Sequence, residues 1–156
     1  MQEIEMQELT KDKLEEAIEV FRLGGWDDTS LLYVKAEMTA FLNGDISGYI
    51  RAKFITAIVD GRIIGVAAWA PSMCAFAVYE LSWATVLPEW RRRGVNTRML
   101  QDRLQRIRQS HGPEPFVVIV YTWDNPMYAK TGFSCLKPPI RREDPYTGKC
   151  LLVAHF

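Results

Sequence analysis

Three consecutive arginines and a glycine, Arg91-Arg92-Arg93-Gly94, interrupt the segment YELSWATVLPEWRRRGVNTRML at residues 79–100. The residues before them read as a strand and those after them as a helix, so the turn presents a helix N-terminus. There the first backbone N–H groups have no intrahelical partner, and the aligned peptide dipoles leave a partial positive charge. A turn that also aims N–H groups inward, with a glycine that lets the backbone approach closely, makes a cradle for phosphate. A basic helix start is common on surfaces, so the turn alone is weak evidence. Other chemistries have less to work with. Cys74, Cys135 and Cys150 cannot all pair, none stands in a Cys-x-x-Cys, and only His111 and His155 accompany them. That inventory suits neither a disulfide scaffold nor a structural zinc site. The cysteines are expected to pack as small buried hydrophobes, His111 to end a helix and His155 to lie in a strand.

The elements that must position the turn can be read from periodicity. Ile4 and Met6 alternate with polar residues, as in a short strand. Thr10 is placed as an N-cap for a helix carrying Leu14, Ala17, Ile18 and Phe21 on one face, which Gly24-Gly25 stops. A second helix comes after Asp27-Asp28-Thr29-Ser30, with Leu31, Val34, Met38, Phe41 and Leu42 on one face and Asn43-Gly44 at its end. Phe54 to Val59 and Ile63 to Ala70 read as strands around the hairpin pair Asp60-Gly61. A third strand runs from about Phe76 to Leu87, closed by Pro88. The helix behind Gly94 turns Val95, Met99, Leu100, Leu104 and Ile107 inward and reaches Ser110, where His111-Gly112-Pro113 breaks it. Phe116 to Thr122 is almost wholly apolar, which predicts a strand buried on both faces. A helical turn around Tyr128 and strands at Phe133 to Lys137 and Leu151 to Phe156 complete the order β-αα-βββ-α-β-α-ββ. This is a mixed α/β fold, one domain over residues 1–156, with a central twisted mixed sheet flanked by helices.

Composition bounds the function classes. The chain has 156 residues, 48% of them hydrophobic, as in an ordinary globular protein with room for a core. Nineteen Lys and Arg balance nineteen Asp and Glu, so nothing attracts the whole protein to nucleic acid or to an anionic membrane. Seven arginines from Arg91 to Arg108 could be a nucleic-acid footprint, yet Asp102, Gln101, Gln105 and Gln109 interleave them and no aromatic accompanies them on the helix. A solvated helix face with one anion site is the better account. Ile63 to Tyr79 carries no charge, near the lower length limit for a spanning helix. Pro71 and Ser72 in its middle fit two buried strands joined by a short loop instead. The acidic start MQEIEMQE lacks the basic and apolar regions of a signal peptide, so a cytoplasmic location is expected.

With the elements in place, Pro88-x-x-Arg91-x-x-Gly94-Val95 resembles the pyrophosphate-binding signature of the GNAT superfamily, the acyl-CoA-dependent N-acyltransferases. That signature is written Arg/Gln-x-x-Gly-x-Gly/Ala, between a strand and a helix. Downstream, Asn125-Pro-Met-Tyr128-Ala-Lys130-Thr-Gly132-Phe133 is similar to the family's second motif, an Asn followed by Tyr-x-x-x-Gly-Phe. The element order is also the family's, so the resemblance covers most of the chain. Some positions depart from the pattern. Asn96 occupies a place where the family prefers Gly or Ala; only its backbone N–H is needed there, so binding is expected to weaken, not to vanish. Arg92 replaces a small residue, and the short gap between Asn125 and Tyr128 shortens the helix before the tyrosine.

The resemblance implies acetyl-CoA as cosubstrate and an amine as acceptor, with no metal. In the family, the strand before the signature bends outward and its backbone pairs with the pantetheine arm. Carried over, Thr85, Val86 and Leu87 supply those contacts, Asn125 adds another, and an N–H near Val86 faces the acyl carbonyl to stabilise the oxyanion. The N–H groups of Arg91, Arg92, Arg93, Gly94, Val95, Asn96 and Thr97 hold the pyrophosphate. Aminolysis of a thioester needs a neutral amine and a proton for the leaving thiolate. Glu80 stands where some protein-lysine acetyltransferases of the family keep a carboxylate base, acting directly or through a water. Its neighbours Tyr79 and Leu81 predict a partly desolvated carboxylate; the plainer alternative is that Glu80 ends an apolar run and faces solvent. Tyr128 is implied as the acid, against the alternative of an ordinary packed tyrosine.

Trp26, Asp27 and Asp28 fall between the first two helices, which in the family often wall the acceptor site. Carboxylates beside an indole suit a cationic amine, although capping of the second helix by Asp27 or Asp28 is the simpler account. Trp69, Trp83 and Trp123 are expected in the core or lining the pocket. The expected activity is transfer of an acetyl group to a primary amine of a small molecule or protein by direct attack in a ternary complex. A non-catalytic CoA-binding or partner-binding module on the same scaffold is the competing class. The resemblance also allows a homodimer.

Overall fold

Asp60 and Gly61 both adopt positive φ, 49° and 79°, the pair of left-handed residues that a two-residue hairpin turn requires. They connect β2 (Lys53–Val59) directly to β3 (Arg62–Pro71), so the charge-free run that begins at Ile63 opens as a strand. The computed structural model describes residues 2–45, 51–123, 126–136 and 149–156. Among the described residues no helix is long and apolar enough to cross a membrane. The remaining strands are β1 (Glu5–Glu8), β4 (Val78–Val86), β5 (Val117–Trp123), β6 (Ser134–Leu136) and β7 (Lys149–His155). They form one sheet in the order β1-β2-β3-β4-β5-β7-β6, in which only β4 and β5 pair in parallel. The helices are α1 (Leu14–Leu23), α2 (Asp28–Leu42), α3 (Val95–His111) and α4 (Pro126–Lys130). The element order and mixed sheet are those predicted by the periodicity.

Two close approaches show how the helices lie. A Cβ added to Gly65 would meet Met99 Sδ of α3 at 3.1 Å, and one added to Gly24, at the end of α1, would collide with Thr85 Oγ1. Gly65 pairs with Val86 and Val66 with Thr85, and successive strand residues point to opposite faces. Hence α3 covers one face of the sheet and α1 the other. One buried cluster, around Phe21, Val34, Met38, Phe54 and Met99, ties α1, α2 and α3 to β2. A second, around Leu81, Leu100, Val118 and Leu152, ties α3 to β4, β5 and β7.

Several local expectations are corrected. Strand β4 begins at Val78, and Phe76 lies outside it, 96% exposed. In β5 only alternate residues are buried: Val118 and Val120 pack under α3, whereas Val117 and Ile119 are half-buried and Tyr121 is exposed. The helices α1 and α2 contact β2, β3 and β4 and leave that face of β5 partly open. Thr10 caps the 3-10 turn Lys11–Lys13 that precedes α1, not the α-helix itself. Cys150 is buried but Cys74 is exposed, because the Ser72–Ala77 connection lies outside the sheet. His111 does end α3, and its Nδ1 shares a hydrogen bond with Tyr79 Oη at 2.9 Å.

Candidate functional site

Between β3 and β4, two steps on one strand match three on the other: Val66 pairs with Thr85, but Ala68 pairs with Ser82. The extra residue makes a β-bulge, and Trp83 absorbs it at φ 46°, a left-handed conformation rare for a bulky side chain. Its ring packs against Phe21 and Trp26, with centroids 6.2 and 5.5 Å away, and its Nε1 donates to Glu37 Oε2 at 2.7 Å. Burial raises the Glu37 carboxyl above its ordinary pKa, and the Trp83 hydrogen bond opposes that shift. On its other edge β4 leaves its partner. Parallel pairing ends at Leu81 and Val120 although both strands continue. A cavity of about 300 Å³ opens at this divergence, bordered by Trp26, Ser82, Trp83, Arg103, Thr122 and Tyr128.

A larger cleft of about 520 Å³ adjoins it at Trp26 and Ala84 and lies over the start of α3. Arg92 and Gly94 take φ 60° and 78°, folding the turn so that Gly94 caps the helix. The first helical bond runs from the Arg98 N–H to the Gly94 carbonyl at 3.0 Å, which leaves the N–H groups of Val95, Asn96 and Thr97 without an acceptor inside the helix. Nothing lies within 4 Å of where a Gly94 Cβ would stand. Open space above unpaired donors at a helix N-terminus fits an anionic pyrophosphate. The Oδ1 of Asn96 is buried without a hydrogen-bond partner among the described residues. The Arg91 guanidinium is a staple: it donates to Gly24 O at 2.9 Å and to Val86 O at 3.2 Å, tying the end of α1 to the end of β4.

The sequence-derived site residues separate accordingly. Thr85, Val86, Arg91, Arg92, Gly94, Val95, Asn96 and Thr97 line the large cleft together. Leu87 does not, because its N–H donates to Ile64 O and its carbonyl accepts from Trp90, both at 2.9 Å. The pairing with β3 continues there, so the Leu87 N–H is taken and its carbonyl is already an acceptor. The Arg93 side chain stacks on the Trp90 ring, 5.1 Å from its centroid, and does not line the cleft. Asn125 and the Trp123 side chain lie outside the described residues. Tyr128 is buried on α4, edge-on to Phe133, and borders the cavity. Glu80 is exposed, since strand alternation puts Leu81 in the core and turns its neighbour out, so the partial desolvation expected of it is absent. Asp27 is the N-cap of α2, accepting the Ser30 N–H at 2.8 Å, a bond that holds its carboxyl below the ordinary range. Asp28 sits in the first turn, exposed, and neither carboxylate lines the cleft or the cavity that Trp26 borders.

Two residues of the site escape the reading of the sequence, although Arg103, four residues from both Met99 and Ile107, stands on the inward face of α3 by spacing. Glu37 lies on the exposed half of a helical pattern, and only the bulge brings Trp83 to it. Arg103 is one of the seven arginines expected on a solvated face, but it is 0% exposed. Most of the other six are also engaged: Arg91 with Gly24 and Val86, Arg93 on Trp90, Arg98 with Ile4 O at 3.4 Å, Arg106 with Asp102, and Arg108 with the carbonyls of Gly112 and Glu114.

The fold that carries these features is found in known proteins. The acetyltransferase (GNAT) domain family matches residues 28–144. This chain belongs to the GNAT family. Among solved structures, a GNAT-family protein from Desulfovibrio desulfuricans superposes with a TM-score of 0.79 at 15% identity, covering 99% of this chain and 98% of that one. The PaiA N-acetyltransferase of Thermoplasma acidophilum, solved with coenzyme A, gives 0.70 at 16% identity with 99% of each chain covered. The GNAT family N-acetyltransferase YhbS of Escherichia coli, also solved with CoA, gives 0.74 at 15% identity, covering 99% of this chain and 82% of that one. At such identities the likeness is one of fold. No curated protein matches the sequence.

Proposed function

We propose that this GNAT protein transfers the acetyl group of acetyl-CoA to a primary amine of a small molecule or protein, by direct attack in a ternary complex. The observation that carries the reading is the adjacency of two openings: an anion cradle at the α3 N-terminus and, beside it, the β4–β5 divergence bordered by Tyr128. Bound acetyl-CoA supplies an activated acyl group that an amine can aminolyse; the protein holds, orients and moves protons. The N–H groups at Val95, Asn96 and Thr97 take the pyrophosphate, and the end of β4 at Thr85 and Val86, which lines the same cleft, receives the pantetheine arm. Tyr128 donates a proton to the departing sulfur. Glu80, one residue before β4–β5 pairing ends at Leu81, takes the amine proton through a water, which its exposure permits. Trp26 and Trp83 form the apolar wall against which the acceptor rests. The proposed setting is the cytoplasm, and a homodimer is compatible with the proposal.

Thermal unfolding with and without acetyl-CoA tests the proposal. Ligand at about a hundred times its dissociation constant stabilises by about 2.7 kcal/mol, a shift of several degrees for a domain of this size. The shift is expected to exceed that given by adenosine bisphosphate, because the pantetheine arm adds contacts along β4. No shift overturns the reading. A shift without turnover on any primary amine identifies the non-catalytic CoA-binding module instead.

A further inference from the structure

Arg103 is a wholly buried cation that the proposed chemistry leaves unused. It lies on α3 and borders the cavity at the β4–β5 divergence. Two of its nitrogens serve the backbone. Nη1 donates to Ala68 O at 3.0 Å, where the bulge shifts the β3–β4 register, and Nε donates to Met99 O at 3.3 Å. Its Nη2 has no hydrogen-bond partner among the described residues. No Asp or Glu among the described residues lines that cavity, and Asp102, beside it in sequence, is paired with Arg106 at 2.5 Å. Burial lowers the pKa of the guanidinium, and the Tyr128 phenol leads the groups that oppose the shift. A leucine here would join Leu100 and Ile107 in the core without a charge to bury. A buried ion is costly, and the two backbone hydrogen bonds leave Nη2 without a role.

We infer that Arg103 is a positioning residue for Tyr128: its free Nη2 faces the phenol oxygen as donor, turns the phenol proton into the cavity and compensates the phenolate left when that proton departs. The inference rests on the reading of Tyr128 as the acid. As the bond from amine nitrogen to carbonyl carbon forms, the carbon–sulfur bond breaks and its electron pair stays on sulfur, which takes the proton of Tyr128. The phenolate then sits beside a cation in a cavity whose described lining residues include no carboxylate; the proton that the amine loses through a water to Glu80 passes on to solvent, and solvent returns one to the phenolate before the next turnover. A hydroxyl that accepts from a cation must donate elsewhere, and this geometry selects the direction.

A double-mutant cycle separates this role from a clamp on the bulge. Wild type, Arg103→Leu, Tyr128→Phe and the double variant are compared by thiol release from acetyl-CoA, using the primary amine that the wild type turns over best. Arg103→Leu is expected to lower kcat about tenfold or more with little change in KM, and to have almost no further effect in the Tyr128→Phe background. Arg103→Lys should recover part of the loss, because it keeps the charge. Equal fold-losses in both backgrounds, or an unchanged kcat in Arg103→Leu, overturn the inference. Wild-type turnover in Tyr128→Phe instead overturns the reading of the acid. Arg103→Met replaces the leucine variant if the latter does not unfold cooperatively.

Discussion

The indole nitrogen of Trp83 donates to Glu37 Oε2 at 2.7 Å, joining the left-handed residue of the β4 bulge to the middle of α2. Burial is the larger influence on that carboxyl and raises it above its ordinary value of 4.5. A carboxyl raised in the folded state binds its proton more tightly there than in the unfolded chain. Its contribution to stability therefore falls as pH rises from the ordinary value through the raised one, and is level above that. Urea midpoints measured from about pH 4 to about pH 8 should decline more in the wild type than in Glu37→Gln. Parallel curves for the two proteins would show that Glu37 does not titrate in this window.

Gly24 is a steric requirement. Its φ of -71° is open to any residue, so crowding alone opposes a side chain: a Cβ would collide with Thr85 Oγ1 and stand 3.1 and 3.2 Å from the Val20 and Phe21 carbonyls. Gly24→Ala should destabilise by about 1–3 kcal/mol. Combining it with Thr85→Ala should recover part of that loss, since the two atoms that collide would no longer both be present. Chemical denaturation of the four proteins checks this, and additive losses would contradict it.

Gly94 is a conformational requirement, the converse case. Nothing crowds its missing Cβ, but φ is 78°. Gly94→Ala should cost about 1 kcal/mol in stability from the left-handed conformation alone. It should also weaken acetyl-CoA binding, because the methyl enters the cradle. Unfolding and ligand titration report the two effects separately; unchanged affinity would remove Gly94 from the cradle.

Tyr128→Phe should lower turnover by roughly a hundredfold or more while leaving acetyl-CoA affinity nearly unchanged, the pattern of a lost proton donor. Glu80→Gln should give a comparable loss that is smaller at high pH, where more of the amine is already neutral. Full turnover in either variant would remove that residue from the mechanism.

Much of this protein is legible in one dimension. The helices and strands are set by hydrophobic period and turn residues, and Asp60-Gly61 announces its hairpin because both residues tolerate positive φ. Arg91, Gly94 and Tyr128 stand out because the GNAT motifs that they resemble are short-range spacings, which a sequence records directly. The tertiary structure decided what depends on register and on which groups are already spoken for. Leu87 drops out because Ile64 and Trp90 take both its backbone groups, a pairing set by the β3 register and the 3-10 turn behind it. Glu80 points to solvent and Asp27 is a cap, distinctions of face and partner that residue type does not carry. Arg103 is the sharpest case. Its spacing from Met99 and Ile107 puts position 103 on the inward face of α3, while an arginine by its type belongs in solvent; the fold resolves the conflict, because the guanidinium reaches the Ala68 carbonyl where the β3–β4 register shifts. A hydrogen bond between β3 and α3 and a cation beside Tyr128 exist only once those distant segments have packed.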